Sequence, residues 1–161
     1  MMKLKVLLFF FILIVISKVC IAQVKLLSLD QLEKRIEQGK DTVYIVNFWA
    51  TWCGPCVKEL PNFEKLNAEY KNQPIKVILM SADFKSKLEK VVIPFVRKMG
   101  LKSEVYLLNE QSEQDYINRI SEKWSGSLPA TLVINTKKKT RNFYEQEFSY
   151  QELEKVYLTN K

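Results

Sequence analysis

Apolar and polar residues follow two periods along this chain, and the switches between them mark its elements. Gln23 to Leu27 is a short apolar lead-in. Leu29, Leu32 and Ile36 then recur at helical spacing behind Ser28-Leu29-Asp30-Gln31, a capping-box pattern, and Gly39 closes the stretch. Thr42 to Ala50 is almost continuously apolar and β-branched, as a central strand covered on both faces would be. Helical spacing returns from about Cys53 to Tyr70, with Leu60, Phe63 and Leu66 facing inward and Pro61 expected to interrupt and kink it. Ile75 to Met80 reads as a second buried strand.

Lys85 to Met99 is helical in character but carries Pro94. That predicts a broken helix, with Pro94 in the first turn of its second piece and Gly100 closing it. Val105 to Leu108 is a brief strand, and Glu113 to Trp124 returns to helical spacing through Tyr116, Ile117 and Ile120. After a Ser125-Gly126-Ser127 loop, Leu128 to Ile134 enters a strand. Asn135 to Thr140 turns, Arg141 to Phe148 pairs back, and Ser149-Tyr150-Gln151-Glu152 caps a final helix. The order predicts an α/β domain: a central mixed sheet with helices on both faces. No repeat, low-complexity tract or second domain interrupts it.

The first 22 residues pose a separate question. Lys3 and Lys5 precede an uninterrupted apolar run, Val6 to Ile16, and Cys20-Ile21-Ala22 supplies small residues where a signal peptidase reads. The run is short for a membrane span, which needs about 20 residues. The reading is a signal peptide over residues 1–22, cleaved after Ala22 or kept as an anchor, and a single domain over residues 23–161. Lipidation of Cys20 is the third alternative, to which Lys18 and Val19 are poorly suited. The protein is then exported, periplasmic or otherwise extracytoplasmic, and touches a membrane only through this segment if it stays.

Cleavage changes two other readings. It removes Cys20 and leaves Cys53 and Cys56 as an even pair in an oxidising compartment. It also removes three lysines and no acid, lowering the formal charge from +7 to about +4. The one dense basic run, Lys137-Lys138-Lys139, lies between two strands and reads as a solvated hairpin turn rather than a nucleic-acid surface. The chain contains no histidine. That excludes histidine-ligated haem, Cys-His catalysis, imidazole proton shuttles and most zinc sites.

The chemistry lies in Trp52-Cys53-Gly54-Pro55-Cys56. Two thiols separated by two residues can close a small disulfide ring and reopen it. The first stands where a buried strand gives way to a helix, and there free backbone N–H groups and the helix dipole favour an anion such as a thiolate. A zinc site would need about four ligands, which the chain lacks. A purely structural disulfide across so few residues would constrain almost no chain entropy. Thiol redox chemistry is what remains.

This string, with Asn47-Phe48-Trp49-Ala50-Thr51 before it and Leu128-Pro129-Ala130-Thr131 after it, resembles the thioredoxin superfamily. The match is to its exported thiol reductase branch, the TlpA/ResA type linked to cytochrome c maturation. The resemblance implies a thioredoxin-like fold over about Asp30 to Tyr157 and a thiol-disulfide oxidoreductase without cofactor or metal. It implies Cys53 as an exposed nucleophile, Cys56 as the resolving thiol, and a redox-active Cys53–Cys56 disulfide. Pro129 would be a cis-proline presenting the backbone of Leu128 to substrate, with Trp52, Gly54 and Pro55 completing the contact surface. Glu59, one turn after Cys56, would accept its proton if burial raises its pKa. Asn47 departs from the aspartate that thioredoxins carry at this point and cannot ionise, so that work falls to Glu59 or to water.

In that superfamily a histidine between the cysteines marks the strong oxidants, and its absence points to a reductant or a mild exchanger. The implied partners are protein disulfides and a membrane thiol electron donor. Three rivals stand beside this reading: an oxidase or isomerase of the same fold, a peroxide-reducing thiol enzyme, and a non-catalytic module binding a partner around Trp52 and Leu128. The second wants a hydroxyl three residues before the attacking cysteine, where Ala50 stands.

Overall fold

The computed structural model describes residues 24–161, so the leader assigned to residues 1–22 lies outside them. The elements are β1 (Lys25–Leu27), α1 (Leu29–Glu37), β2 (Val43–Trp49), α2 (Gly54–Glu69), β3 (Ile75–Ser81), α3 (Ile93–Met99), β4 (Glu104–Leu108), α4 (Glu113–Ile120), β5 (Ala130–Asn135), β6 (Thr140–Tyr144) and α5 (Tyr150–Asn160). The six strands lie in the order β1-β4-β3-β2-β5-β6. The first four pair in parallel, and β5 and β6 join antiparallel, so the sheet is mixed.

Every residue of β2 is buried. Strand geometry sends successive side chains to opposite faces. Val43, Ile45 and Trp49 pack with Leu60, Phe63 and Leu66 of α2 and with Leu153 and Tyr157 of α5. Tyr44, Val46 and Phe48 pack on the other face with Leu29, Leu32 and Ile36 of α1 and with Ile120 of α4. Alternation therefore aims Asn47 into the α2 side of the sheet.

The first helix starts at the predicted capping box, with Ser28 Oγ accepting from the Gln31 N–H and the Gln31 side chain answering at the Ser28 N–H. The last does the same at Ser149 and Glu152. Gly100 closes α3 at φ 65°, a left-handed conformation that suits glycine. Its helix is broken as expected: a 3₁₀ turn at Lys85–Lys87 and a π turn at Leu88–Val92 precede α3, and Pro94 sits in the first turn of α3.

Four expectations are corrected. Pro61 does not interrupt α2, which is one element from Gly54 to Glu69. A proline removes one helical hydrogen bond, and Leu60 and Phe63 on either side are fully buried against the sheet, holding both turns in place. The helix from Glu113 ends at Ile120, not Trp124. The chain turns through Ser121, and Trp124 folds back among Phe48, Tyr116 and Phe143, its indole donating to the Ser127 carbonyl. The lead-in before Ser28 contains a short edge strand, because β4 offers it a parallel ladder. The return strand stops at Tyr144, and Phe148 leaves the sheet for the core.

Candidate functional site

The exit of β2 leads through Ala50-Thr51-Trp52 to Cys53, the N-cap of α2. The Cys53 N–H donates to the Ala50 carbonyl at 3.1 Å, closing a turn, and Cys53 Sγ accepts from the Cys56 N–H at 3.3 Å. The two cysteines are joined by a disulfide with a Cα–Cα distance of 5.3 Å. Cys53 was expected to be exposed and is instead 6% accessible in this disulfide form. Its sulfur is bonded inward to the fully buried Cys56, and Leu128 packs against the cluster containing both. Trp52, by contrast, is 69% exposed, and Gly54 and Pro55 face solvent. A Cβ placed on Gly54 would meet nothing within 4 Å, so this side of the disulfide is open.

β5 brings in the second half of the site. Ala130 pairs with Phe48, so the residues just before it stand at the same end of the sheet as the Cys53 turn. The Leu128–Pro129 peptide is cis, Pro129 is buried and Leu128 half-buried.

Behind the disulfide lies Glu59, fully buried one turn beyond Cys56. Its Oε1 accepts from the Asn47 side-chain amide at 2.8 Å and its Oε2 from the Phe148 N–H at 2.7 Å. Among the described residues no cation pairs with it; Lys58 nearby reaches Glu147 instead. Its pKa is raised to about 7, chiefly by burial, with the two donors opposing the rise in part and the charge of Glu147 adding to it. A carboxyl poised near neutrality can take and return a proton under ordinary conditions. The Asn47 amide also reaches Thr131 Oγ1 at 3.2 Å, while its own Oδ1 is buried without a hydrogen-bond partner among the described residues.

Asp83 carries a role that sequence reasoning missed. It follows β3, is 5% exposed, and accepts from the Thr51 N–H at 2.9 Å and the Thr51 hydroxyl at 2.6 Å. The Ser81 hydroxyl donates to it as well. The carboxylate thus ties the turn before Cys53 to the exit of β3. The available signal was an acidic residue two positions after a buried parallel strand, at the sheet end where such folds place their sites. Its partner, 32 residues away, left no local trace.

Among the described residues no group of histidine, cysteine or carboxylate side chains is placed to hold a metal ion, and no helix is long and apolar enough to cross a membrane.

Comparison with known proteins fits this arrangement. The chain is similar to the thiol-disulfide oxidoreductase ResA of Halalkalibacterium halodurans, 33% identical over 106 residues, which are 66% of this chain and 54% of that protein. It is also similar to the thioredoxin-like protein YneN of Bacillus subtilis, 28% identical over 119 residues, 74% of this chain and 65% of that one. The chain thus spans about half the length of the ResA relatives it matches. In structure it resembles a thioredoxin-related protein from Neisseria meningitidis serogroup B, with a TM-score of 0.66 and 23% identity over 78% of this chain and 89% of that one, which establishes the thioredoxin-like fold. A model of the AhpC/TSA family matches residues 17–143. That match takes in β1 through β5, all but the last residue of β6, and both halves of the site, and the chain belongs to the AhpC/TSA family of thioredoxin-like proteins.

Proposed function

We propose that this protein is a thiol-disulfide oxidoreductase that reduces protein disulfides outside the cytoplasm, with Cys53 as nucleophile and Cys56 as resolving thiol. The observation that carries the reading is the Cys53–Cys56 disulfide at the N-cap of α2, backed by a buried carboxyl that no cation pairs with among the described residues. In the reduced enzyme the Cys53 thiolate attacks one sulfur of a substrate disulfide. That S–S bond breaks, a mixed disulfide forms, and the first substrate sulfur leaves as a thiolate. Glu59 takes the Cys56 proton. Cys56 then attacks Cys53 Sγ, closing the internal disulfide and releasing the second substrate thiolate. Two electrons have passed to the substrate. A membrane thiol donor returns them, since the reading calls for no bound cofactor.

Pro129 has no N–H to donate, and its neighbour Leu128 offers backbone to an extended substrate segment. Trp52, Gly54 and Pro55 form the rest of that contact. Residues 1–22 act as an export signal or a retained anchor. The name of the ResA relatives supports thiol-disulfide exchange, and the TlpA/ResA resemblance supports a reductant of the cytochrome c maturation type. Peroxide reduction is disfavoured: Ala50 is fully buried three residues before Cys53, and the neighbouring Thr51 hydroxyl is given to Asp83.

The test is the reduction potential of the Cys53–Cys56 pair, measured by equilibration in dithiothreitol buffers and counting of free thiols. A value near or below about −270 mV, that of thioredoxin, supports a reductant, and one near about −120 mV makes the protein a disulfide donor. Cys53→Ser separates catalysis from partner binding: an adaptor keeps its phenotype with serine there, an exchange enzyme loses it.

A further inference from the structure

The Asp83–Thr51 clamp has an aromatic residue directly after each end. Trp52 follows Thr51 and Phe84 follows Asp83, and they are 69% and 71% exposed, the two most exposed large apolar side chains among the described residues. Lone surface apolar residues are common, but here two exposed aromatics directly follow the two residues of one buried clamp beside the disulfide, which places them on the same end of the sheet. Phe84 also lines a cleft of about 480 Å³ beside the ends of β3 and β4. Leu108 and Tyr116 supply its apolar lining, and Lys85 and Glu110 its charged edge. The Glu110 carboxylate holds the N-terminus of α1 through the Leu29 N–H at 2.7 Å, so that wall is fixed. The Ala82 N–H bonds the Trp49 carbonyl at 2.7 Å, joining the cleft directly to the strand that carries the redox turn.

We propose that Phe84 and this cleft are a second docking contact for the disulfide-bearing protein substrate, taking one of its apolar side chains while its disulfide lies at Cys53. The occupant follows from continuity. A protein disulfide must reach Cys53 at this end of the sheet, Leu128-Pro129 flanks it on the β5 side, and Phe84 flanks it on the β3 side. A substrate spanning the end of the sheet covers all three. Exposed aromatic rings bring large contact area at low ordering cost, which is why they concentrate where partners dock. A small disulfide would touch Cys53 alone and gain nothing from Phe84. Discrimination between protein and small-molecule disulfides is therefore the property this contact confers.

The inference rests on the proposed exchange chemistry, and one experiment separates the two. Reduced wild-type protein, Phe84→Ser and Phe84→Trp are assayed on insulin and on 5,5′-dithiobis(2-nitrobenzoate). Phe84→Ser is expected to lower kcat/KM for insulin roughly tenfold, mainly through KM, since loss of one well-placed aromatic anchor costs over 1 kcal/mol of binding. It leaves the small disulfide within about twofold of wild type, and Phe84→Trp restores most of the insulin rate. Equal insulin rates for wild type and Phe84→Ser overturn the docking contact and leave the exchange chemistry standing. So does a parallel loss on both substrates, which marks a disturbed active site, or a wild type that reduces only the small disulfide. A wild type that reduces neither removes the exchange reading and this one with it.

Discussion

Asn47 of β2 donates its side-chain amide to Glu59 of α2 at 2.8 Å, and both residues are fully buried. The bond crosses the sheet–helix interface directly behind the reactive disulfide. Where a second acid would repel Glu59, the amide supports its ionised form without carrying charge. The pair therefore gives this site one titrating carboxyl instead of two coupled ones.

The raised pKa of Glu59 makes folding stability pH-dependent. Between about 4.5 and 7 the unfolded chain releases this proton while the native state keeps it. The native state then binds more protons, so stability falls as pH rises through that window. The full loss is present above it, amounting to about 3 kcal/mol. Glu59→Gln removes the titration: its primary-amide oxygen can accept from Phe148, and rotation of the Asn47 amide brings the unpartnered Oδ1 to the new NH₂. Urea unfolding of the oxidised forms at pH 5 and pH 8 should show wild type losing stability on going alkaline and the variant staying flat. Parallel curves would refute the assignment.

The same substitution should slow turnover. With no group to take the Cys56 proton, release of the mixed disulfide at pH 7 is expected to fall by about a hundredfold, and the limb of the pH–rate profile near 7 should vanish. Rapid quenching with alkylating agent and mass analysis reads the mixed disulfide directly. It accumulates in the variant if Glu59 is the proton acceptor.

Asn47→Leu keeps the branched shape, with bulkier ends, and removes the donor. The ionised form of Glu59 loses one of its two hydrogen bonds, so its pKa moves further up and both pH profiles shift alkaline. Activity at pH 7 should drop severalfold and return in part near pH 9. A pH–rate profile unchanged in position would show that Asn47 does not govern Glu59.

Asp83→Ala strands three donors, the Thr51 N–H and the Thr51 and Ser81 hydroxyls, where water has limited access. Removing one partner from such a buried charged cluster costs about 3 kcal/mol. The measurement is the urea midpoint, with an unchanged slope showing that the fold survives. A loss below about 0.5 kcal/mol would mean that the clamp is solvated and positions nothing.

Much of this protein is decided within a few residues at a time. The capping boxes at Ser28 and Ser149 work because donor and acceptor lie three residues apart. The all-buried β2 is visible because both faces of one strand must be apolar, and the cysteine pair falls at the strand–helix junction because the period changes there. Pattern alone thus set the α/β order, the central strand and the place of the disulfide. Trp124 shows the limit: helical spacing ran on to it, but its ring packs best on Phe48 and Phe143 from a turn outside the helix.

The tertiary structure decided what surrounds the sulfurs. Phe148 meets Glu59 from 89 positions away, Thr131 meets Asn47 from 84, and Asp83 meets Thr51 from 32. Burying a polar group favours giving it a partner, and for these three contacts the sheet order supplies it from a distant strand or loop. Local propensity determines where a helix begins. Only packing determines which backbone N–H arrives beside a buried carboxylate, and with it the pH at which that carboxylate titrates.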